Sequence, residues 1–279
     1  MYRSSTHSFS QSKTVSAVSS RLSRVGFRAQ QIRLQTEIQL VLSIMQIKGF
    51  IDTSFSDWDG KVSSVIFLPK CNFRCPFCYN KGLVLQPEAM PTVACEHIKK
   101  YLEENRKWID GVVITGGEPT NHEDLPDLCS EFERIGFHVK LDTNGTNPAM
   151  IDKLIEDKLV DYVALDLKAP LTEEEYSKAS GVNAMSVLDR LKESIQILFE
   201  DKVDYEFRTT VVPTLHRVDD VQKICQAIRG CRKYALQTYK SGVETIDPTF
   251  QDLKPFSAAE TKAFFEAARK IVPNAILRG

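Results

Sequence analysis

From residue 46 onward, the chain alternates between short apolar runs and longer stretches in which apolar residues recur every three or four positions. The short runs predict buried strands and the longer stretches predict amphipathic helices, because these spacings match the two side-chain periods. The predicted strands are 62–68, 111–115, 138–142, 162–167, 205–212 and 234–238. The predicted helices are 92–106, 123–135, 148–157, 186–200, 218–228 and 258–271.

This succession of strand–helix units predicts an α/β fold with a parallel sheet, since neighbouring parallel strands need a crossover of this kind. The simplest architecture is a partial (β/α)6 barrel. Residues 47–61, with a turn at Asp59-Gly60, predict a short antiparallel strand at one edge. The loops that follow the parallel strands would meet at one end of the barrel, where the active sites of such folds form.

The first 45 residues differ in composition from the rest of the chain. They hold ten serines, six basic residues and one acid, so they carry +5 and the remainder carries −6 of the total charge of −1. This composition is typical of an organelle targeting peptide, of a disordered leader, or of sequence upstream of a mis-assigned start near Met45. We favour a disordered leader or a mis-assigned start over residues 1–45, followed by one domain over residues 46–279.

The overall composition argues against several classes of protein. Of 279 residues, 42% are hydrophobic and 26% are charged, which suits a folded core and gives no global attraction to nucleic acid or membrane. The apolar run 38–45 is far shorter than the roughly 20 residues of a membrane span. A chain of this length does not need disulfides, so its seven cysteines indicate a reducing compartment. We therefore expect a cytoplasmic protein with no nucleic-acid or membrane partner.

Three of the cysteines, Cys71, Cys75 and Cys78, lie together directly after the first predicted strand. Thiolates favour iron–sulfur clusters or zinc, and three of them could hold a 4Fe-4S cube while its fourth iron stays open to another ligand. Zinc would need a fourth ligand, and His97 and His122 have no compact spacing with the three cysteines. The remaining cysteines are expected to pack in the core: Cys95, Cys129, Cys225 and Cys231.

Polar motifs follow the later strands at the same end of the predicted barrel. They are Gly-Gly-Glu-Pro at 116–119, Asp-Thr-Asn-Gly at 142–145 and Leu-Asp-Leu-Lys at 165–168. Arg208 lies within an apolar strand, so it needs an acidic mate, either one of these carboxylates or an acidic ligand. On their own, the glycines are also compatible with a plain turn, and the carboxylate of Asp142 with a helix cap.

In their order, these motifs resemble the radical S-adenosylmethionine (SAM) superfamily, and within it the proteins that activate glycyl radical enzymes. The resemblance covers residues 46–279 and begins with the CxxxCxxC loop, which has an aromatic residue before its last cysteine. The segments 71–80 and 207–212 are most similar to activating proteins of anaerobic ribonucleoside-triphosphate reductase. Tyr79 stands where the family often has a histidine, and Lys240 stands where the pyruvate formate-lyase activator has one, which leaves the role of Lys240 open.

The resemblance implies an oxidoreductase that cleaves SAM reductively at one 4Fe-4S cluster and uses the 5'-deoxyadenosyl radical to install a glycyl radical on a partner enzyme. Cys71, Cys75 and Cys78 would hold the cluster and, with Lys168, carry the catalysis. The implied SAM-binding residues are Phe77, Tyr79, Gly116, Gly117, Glu118, Asp142, Thr143, Asn144, Asp166, Lys168 and Arg208. An external donor such as flavodoxin or ferredoxin would supply the electron, because the chain resembles the single-cluster activators.

Three alternative functions remain open from the sequence. The first is activation of a pyruvate formate-lyase-like enzyme. The second is radical SAM chemistry on a small molecule such as a deazaguanine precursor. The third, outside enzymes, is an iron–sulfur electron carrier, although a carrier would normally close its cluster with four cysteines.

Overall fold

A computed structural model describes residues 46–279, in which eight strands form one open sheet in the order of the sequence. The first strand pairs antiparallel with the second, and all later neighbours are parallel. The strands are β1 Gly49–Ser54, β2 Ser63–Leu68, β3 Gly111–Gly116, β4 His138–Thr143, β5 Tyr162–Asp166, β6 Asp204–Val211, β7 Tyr234–Thr238 and β8 Ala275–Arg278. The predicted leader over residues 1–45 lies outside the described residues.

Eight α-helices connect these strands within the described part of the chain. They are α1 Lys81–Leu85, α2 Cys95–Glu104, α3 Leu125–Arg134, α4 Pro148–Glu156, α5 Glu173–Ser180, α6 Leu188–Phe199, α7 Val218–Ala227 and α8 Ala258–Arg269. All six helices and all six strands expected from the sequence are present, and β1 is the predicted antiparallel edge strand. The α/β barrel prediction is therefore confirmed, and the sheet stays open between β1 and β8.

The structure corrects the strand count, because β8 adds a parallel strand that the hydrophobic pattern did not indicate. This strand has only four residues, and just one of them, Ala275, is buried. A long-range ion pair holds it in place: Arg278 bonds both carboxylate oxygens of the buried Glu206 at 2.9 and 2.7 Å. The helices α1 and α5 were also missed, because α1 has only five residues and α5 is highly charged and only weakly periodic.

The loop between β1 and β2 covers the end of the barrel at which the parallel strands begin. Trp58 in this loop is buried and packs with Val65 and Val113 in one apolar cluster. Its neighbour Asp59 reaches the opposite edge of the sheet and pairs with Arg278 at 2.6 Å. This end is therefore filled, and the accessible pocket lies at the carboxyl ends of the strands. Within residues 46–279, no helix is long and apolar enough to cross a membrane.

Candidate active site

The three clustered cysteines line a pocket of about 220 Å³ at the carboxyl ends of the strands. Nearly all residues that the motifs assigned to SAM line the same pocket: Phe77, Tyr79, Gly116, Gly117, Glu118, Asp142, Thr143, Asn144, Asp166 and Lys168. The remaining one, Arg208, bonds to two of these lining residues. The structure thus brings together residues that are up to 137 positions apart in the sequence.

The cysteine loop suits a centre that carries positive charge. Burial raises the pKa of the Cys71 thiol to about 11 and that of Cys75 to about 12. Thiolates at these positions therefore need bound metal to become stable, as the irons of a cluster provide. Among residues 46–279, no three histidine, cysteine or acidic side chains converge on a single ion. In an iron–sulfur cube each thiolate binds its own iron, so the donor set fits a cluster without such convergence.

The two glycines of the Gly-Gly-Glu-Pro motif permit a close backbone approach to the cysteine loop. Gly116 has a φ of +119°, and a Cβ atom on Gly117 would overlap the carbonyl oxygen of Lys70. The Gly117 N–H donates to Leu68 O and the Glu118 N–H donates to Lys70 O, both at 2.8 Å. The resemblance assigns Gly116 and Gly117 to SAM, and in the structure these glycines hold β3 against the segment that leads into Cys71.

Glu118 ties two loops of the site together. Its Oε1 accepts from the Thr120 N–H at 3.1 Å and from the hydroxyls of Thr120 and Thr143 at 2.6 and 2.7 Å. Its Oε2 accepts from the Asn144 N–H at 2.7 Å. Burial raises the pKa of Glu118, although these hydrogen bonds oppose the change. The Glu118 carboxylate, one of the implied SAM-binding groups, thus links the ends of β3 and β4.

A row of alternating charges crosses the floor of the pocket from β4 to the end of β5. Arg208 binds Asp142 at 3.0 Å and Asp166 at 2.7 Å, which confirms that strand-end carboxylates are its mates. Lys140 lies 3.3 Å from Asp142, and Lys168 lies 3.0 Å from Asp166. Burial would raise the pKa of Asp166, but Arg208 and Lys168 hold it below its ordinary value. Lys168 is the cation of this row that lines the pocket, so it is the group placed to meet an anionic ligand.

Tyr79, which follows Cys78, contacts the loop that follows β7. The ring of Tyr79 stacks on Tyr239 with centroids 5.7 Å apart. The Tyr79 hydroxyl accepts from the Lys240 N–H at 2.7 Å and donates to its carbonyl oxygen at 3.0 Å. Lys81 adds an ion pair with Glu244 at 2.6 Å. The structure therefore gives Lys240 a backbone contact to the cysteine loop, while its side chain is exposed.

Sequence reasoning missed His216, a buried residue in the loop after β6. Its Nδ1 accepts from the Val212 N–H at 3.0 Å, and its Nε2 lies 2.9 Å from the carbonyl oxygen of Lys168. These partners require the neutral tautomer with hydrogen on Nε2, which donates to Lys168. A single histidine after a strand has no local pattern that would reveal this contact.

Acid is expected to weaken the fold through His216. Burial lowers the pKa of His216 below the ordinary value, because it disfavours the charged imidazolium. The folded chain therefore binds fewer protons than the unfolded chain just below pH ~6.5, so stability is full above that pH and falls as pH decreases toward the folded pKa. We expect a loss of about 1 kcal/mol, the worth of one hydrogen bond. Urea unfolding at pH 7.5 and 5.5 measures the free energy of unfolding at each pH. The variant His216→Gln has no titrating side chain at this position, so its free energy of unfolding should change less between the two pH values. An equal change in the variant would contradict the assignment of the acid effect to His216.

Comparison with known proteins places the chain in a family. The model of the radical SAM superfamily matches residues 65–229. A candidate glycyl-radical enzyme activating enzyme of Methanocaldococcus jannaschii is 31% identical over 233 residues, which cover 83% of this chain and 95% of that protein. The 7-carboxy-7-deazaguanine synthase of Aquifex aeolicus is 36% identical over 89 residues, 31% of this chain and 38% of that enzyme.

A solved structure supports the same fold. SuiB of Streptococcus suis, determined with bound SAM, superposes with a TM-score of 0.59 at 16% identity, covering 77% of this chain and 52% of that chain. The described chain thus spans about half the length of SuiB, and the likeness concerns the fold alone. With the CxxxCxxC cysteines in the pocket and the family match over residues 65–229, this chain is an enzyme of the radical SAM superfamily, whose cofactors are a 4Fe-4S cluster held by three cysteines and SAM.

Proposed function

We propose that this enzyme installs a glycyl radical on a partner enzyme and that the partner is anaerobic ribonucleoside-triphosphate reductase. The main support is the similarity to a candidate activating enzyme over 95% of that relative's length. The choice of reductase rests on the segments 71–80 and 207–212, which are most similar to its activators. Activation of a pyruvate formate-lyase-like enzyme is the nearest variant of the same proposal.

The site residues divide between holding the cluster and holding SAM. Cys71, Cys75 and Cys78 would bind three irons, and Lys168 would offer its ammonium group to the SAM carboxylate. Phe77 and Tyr79 present aromatic faces suited to a purine. With both cofactors bound, the site would supply one-electron cleavage of SAM, from which hydrogen abstraction at a glycine of the partner would follow. The chain's task is therefore to orient SAM and admit a polypeptide.

The side of the pocket formed by β6 and β7 favours a polypeptide over a nucleotide. Thr210 lines the pocket, and the parallel register places Gln237 beside it on the same face of the sheet. Of the nearby cations, Arg208 is bound by two carboxylates and Lys168 is assigned to SAM, so neither is left for a phosphate chain. A triphosphate needs cations that are free to bind it, whereas a peptide backbone needs neutral hydrogen-bonding groups.

The electron would come from a separate protein such as flavodoxin or ferredoxin. The other four cysteines are all buried, and they lie in α2, α3, α7 and the loop before β7. Because they are dispersed in this way, the described part of the chain offers no second set of thiolates for a relay cluster.

Electron paramagnetic resonance tests the proposal directly. The reconstituted enzyme is mixed with SAM, a reductant and the candidate reductase, and a glycyl doublet is expected on the reductase. A reductase variant whose radical-bearing glycine is replaced by alanine should give no doublet. A doublet on a pyruvate formate-lyase-like enzyme alone would show that this enzyme, and not the reductase, is the partner. The absence of a doublet on both enzymes would contradict the proposal.

A small-molecule reaction is the second candidate, supported by the partial similarity to the deazaguanine synthase. It would release 5'-deoxyadenosine together with a modified small molecule and would not require a protein partner. Incubation with a deazaguanine precursor, followed by product analysis, separates the two candidates. A modified small-molecule product, formed without any protein partner, would favour this second function over glycyl radical formation.

A further inference from the structure

Asn144, which the motif assigned to SAM, uses its side chain in hydrogen bonds within the protein. Its Oδ1 accepts from the Thr146 backbone N–H at 3.0 Å and from the Thr146 hydroxyl at 2.7 Å. A backbone N–H can only donate, so this contact fixes which end of the amide is oxygen. The Nδ2 group of Asn144 must therefore point to the other side, where the cysteine loop lies.

On that side, Nδ2 has two acceptors. It donates to Asn72 Oδ1 at 2.8 Å and lies 3.9 Å from the sulfur of Cys71. Asn72 in turn donates to the Thr146 hydroxyl at 2.8 Å, which closes a ring of three side chains. Asn144 is only 6% exposed, so water competes little for its amide. Because Thr146 fixes Oδ1, an N–H group of Asn144 is held toward one of the three cluster cysteines.

Such a donor has a specific consequence for a redox centre. Reduction adds negative charge to the cluster and its thiolates, so an N–H directed at a ligand sulfur stabilises the reduced state more than the oxidised state. The effect grows in a buried site, where the local dielectric constant is low. A second N–H, from the backbone of Phe73, lies 3.3 Å from the same sulfur. The Cys71 sulfur therefore faces two protein donors.

We infer that Asn144 raises the reduction potential of the cluster by donating to the Cys71 sulfur, and that it does not serve as a SAM ligand. The residue acts through Cys71, so it tunes the cofactor without touching the reacting atoms. The inference rests on the proposed assignment of Cys71 as a cluster ligand.

The test is a potentiometric titration of the reconstituted enzyme without SAM or partner, with the reduced cluster followed by electron paramagnetic resonance. Asn144→Asp keeps the acceptor for Thr146 but removes the N–H donors, and Asn144→Ala removes the whole amide. Asn72→Ala is the matched control, because it removes the neighbouring amide while both Thr146 hydrogen bonds still orient the Asn144 amide. At a fixed potential, the ratio of reduced to oxidised cluster should fall about tenfold in both Asn144 variants, which is ~59 mV for a one-electron couple. In the control, the ratio of reduced to oxidised cluster should change by less than about twofold, which corresponds to a small part of the free energy of one hydrogen bond.

The inference is overturned if iron-replete Asn144 variants keep the wild-type midpoint, or if Asn72→Ala shifts it as far. Should both Asn144 variants lose iron, wild-type enzyme labelled with 15N in its asparagine side chains decides the question. A coupling of that nitrogen to the reduced cluster supports the inference, and its absence overturns it. Failure of the wild-type chain to form a 4Fe-4S cluster would instead contradict the proposed function.

Discussion

Replacing Cys75 by alanine is expected to abolish the 4Fe-4S cluster and, with it, SAM cleavage. Cys75 is buried in the middle of the cysteine loop, so water cannot easily substitute for the missing ligand. The two remaining thiolates would have to hold a cube that three normally secure. Losing only an outer-shell partner of a metal ligand costs 10- to 100-fold, so we expect cleavage to fall by more than about a hundredfold.

Iron and sulfide content and 5'-deoxyadenosine formation measure this effect. Cys95→Ala is the matched control, because Cys95 is also buried but begins α2. The control should retain iron and SAM cleavage, with at most the stability cost of removing one small buried group. Retained cleavage in Cys75→Ala would contradict the ligand assignment, and loss of iron in both variants would point to general instability of the domain.

The fold could be predicted from local patterns because most of its elements carry them. Strands such as β3 and β5 are nearly continuous apolar runs, as expected for a sheet covered on both faces. The cysteine spacing and the strand-end motifs then placed the site at one end of the barrel. These features depend on neighbours in the sequence or on the fixed direction of parallel strands. The strand β8, in contrast, is held by Arg278 through a partner 72 positions away.

The directions of individual polar side chains could not be predicted in this way. Glu118 and Asn144 stand in motifs that resemble SAM-binding segments, yet the structure shows both side chains bonded to protein groups. The helix cap considered for Asp142 is supplied instead by Asn147, whose side chain accepts from the Met150 N–H. Each outcome depends on which donors the fold brings within about 3 Å, and a motif does not encode that information.

Replacing Lys168 by alanine is expected to weaken SAM binding about thirtyfold while leaving the iron content unchanged. Burial would lower the pKa of Lys168, but Asp166 raises it above the ordinary value, so the side chain is cationic at neutral pH. Removing it takes away the cation of the charge row that lines the pocket. Loss of one partner of a largely desolvated charge pair costs about 2 kcal/mol, and each 1.4 kcal/mol is tenfold in affinity.

Equilibrium dialysis of SAM against the reconstituted enzyme measures this loss, and Lys178→Ala on the exposed face of α5 is the matched control. The frame of the site should survive the substitution, because Arg208 still binds Asp166 at 2.7 Å and His216 bonds only the backbone of residue 168. Unchanged iron with weaker SAM binding would therefore assign Lys168 to the substrate. Loss of iron would indicate that Lys168 supports the cysteine loop. Unchanged SAM affinity would contradict its assignment as a SAM-binding residue.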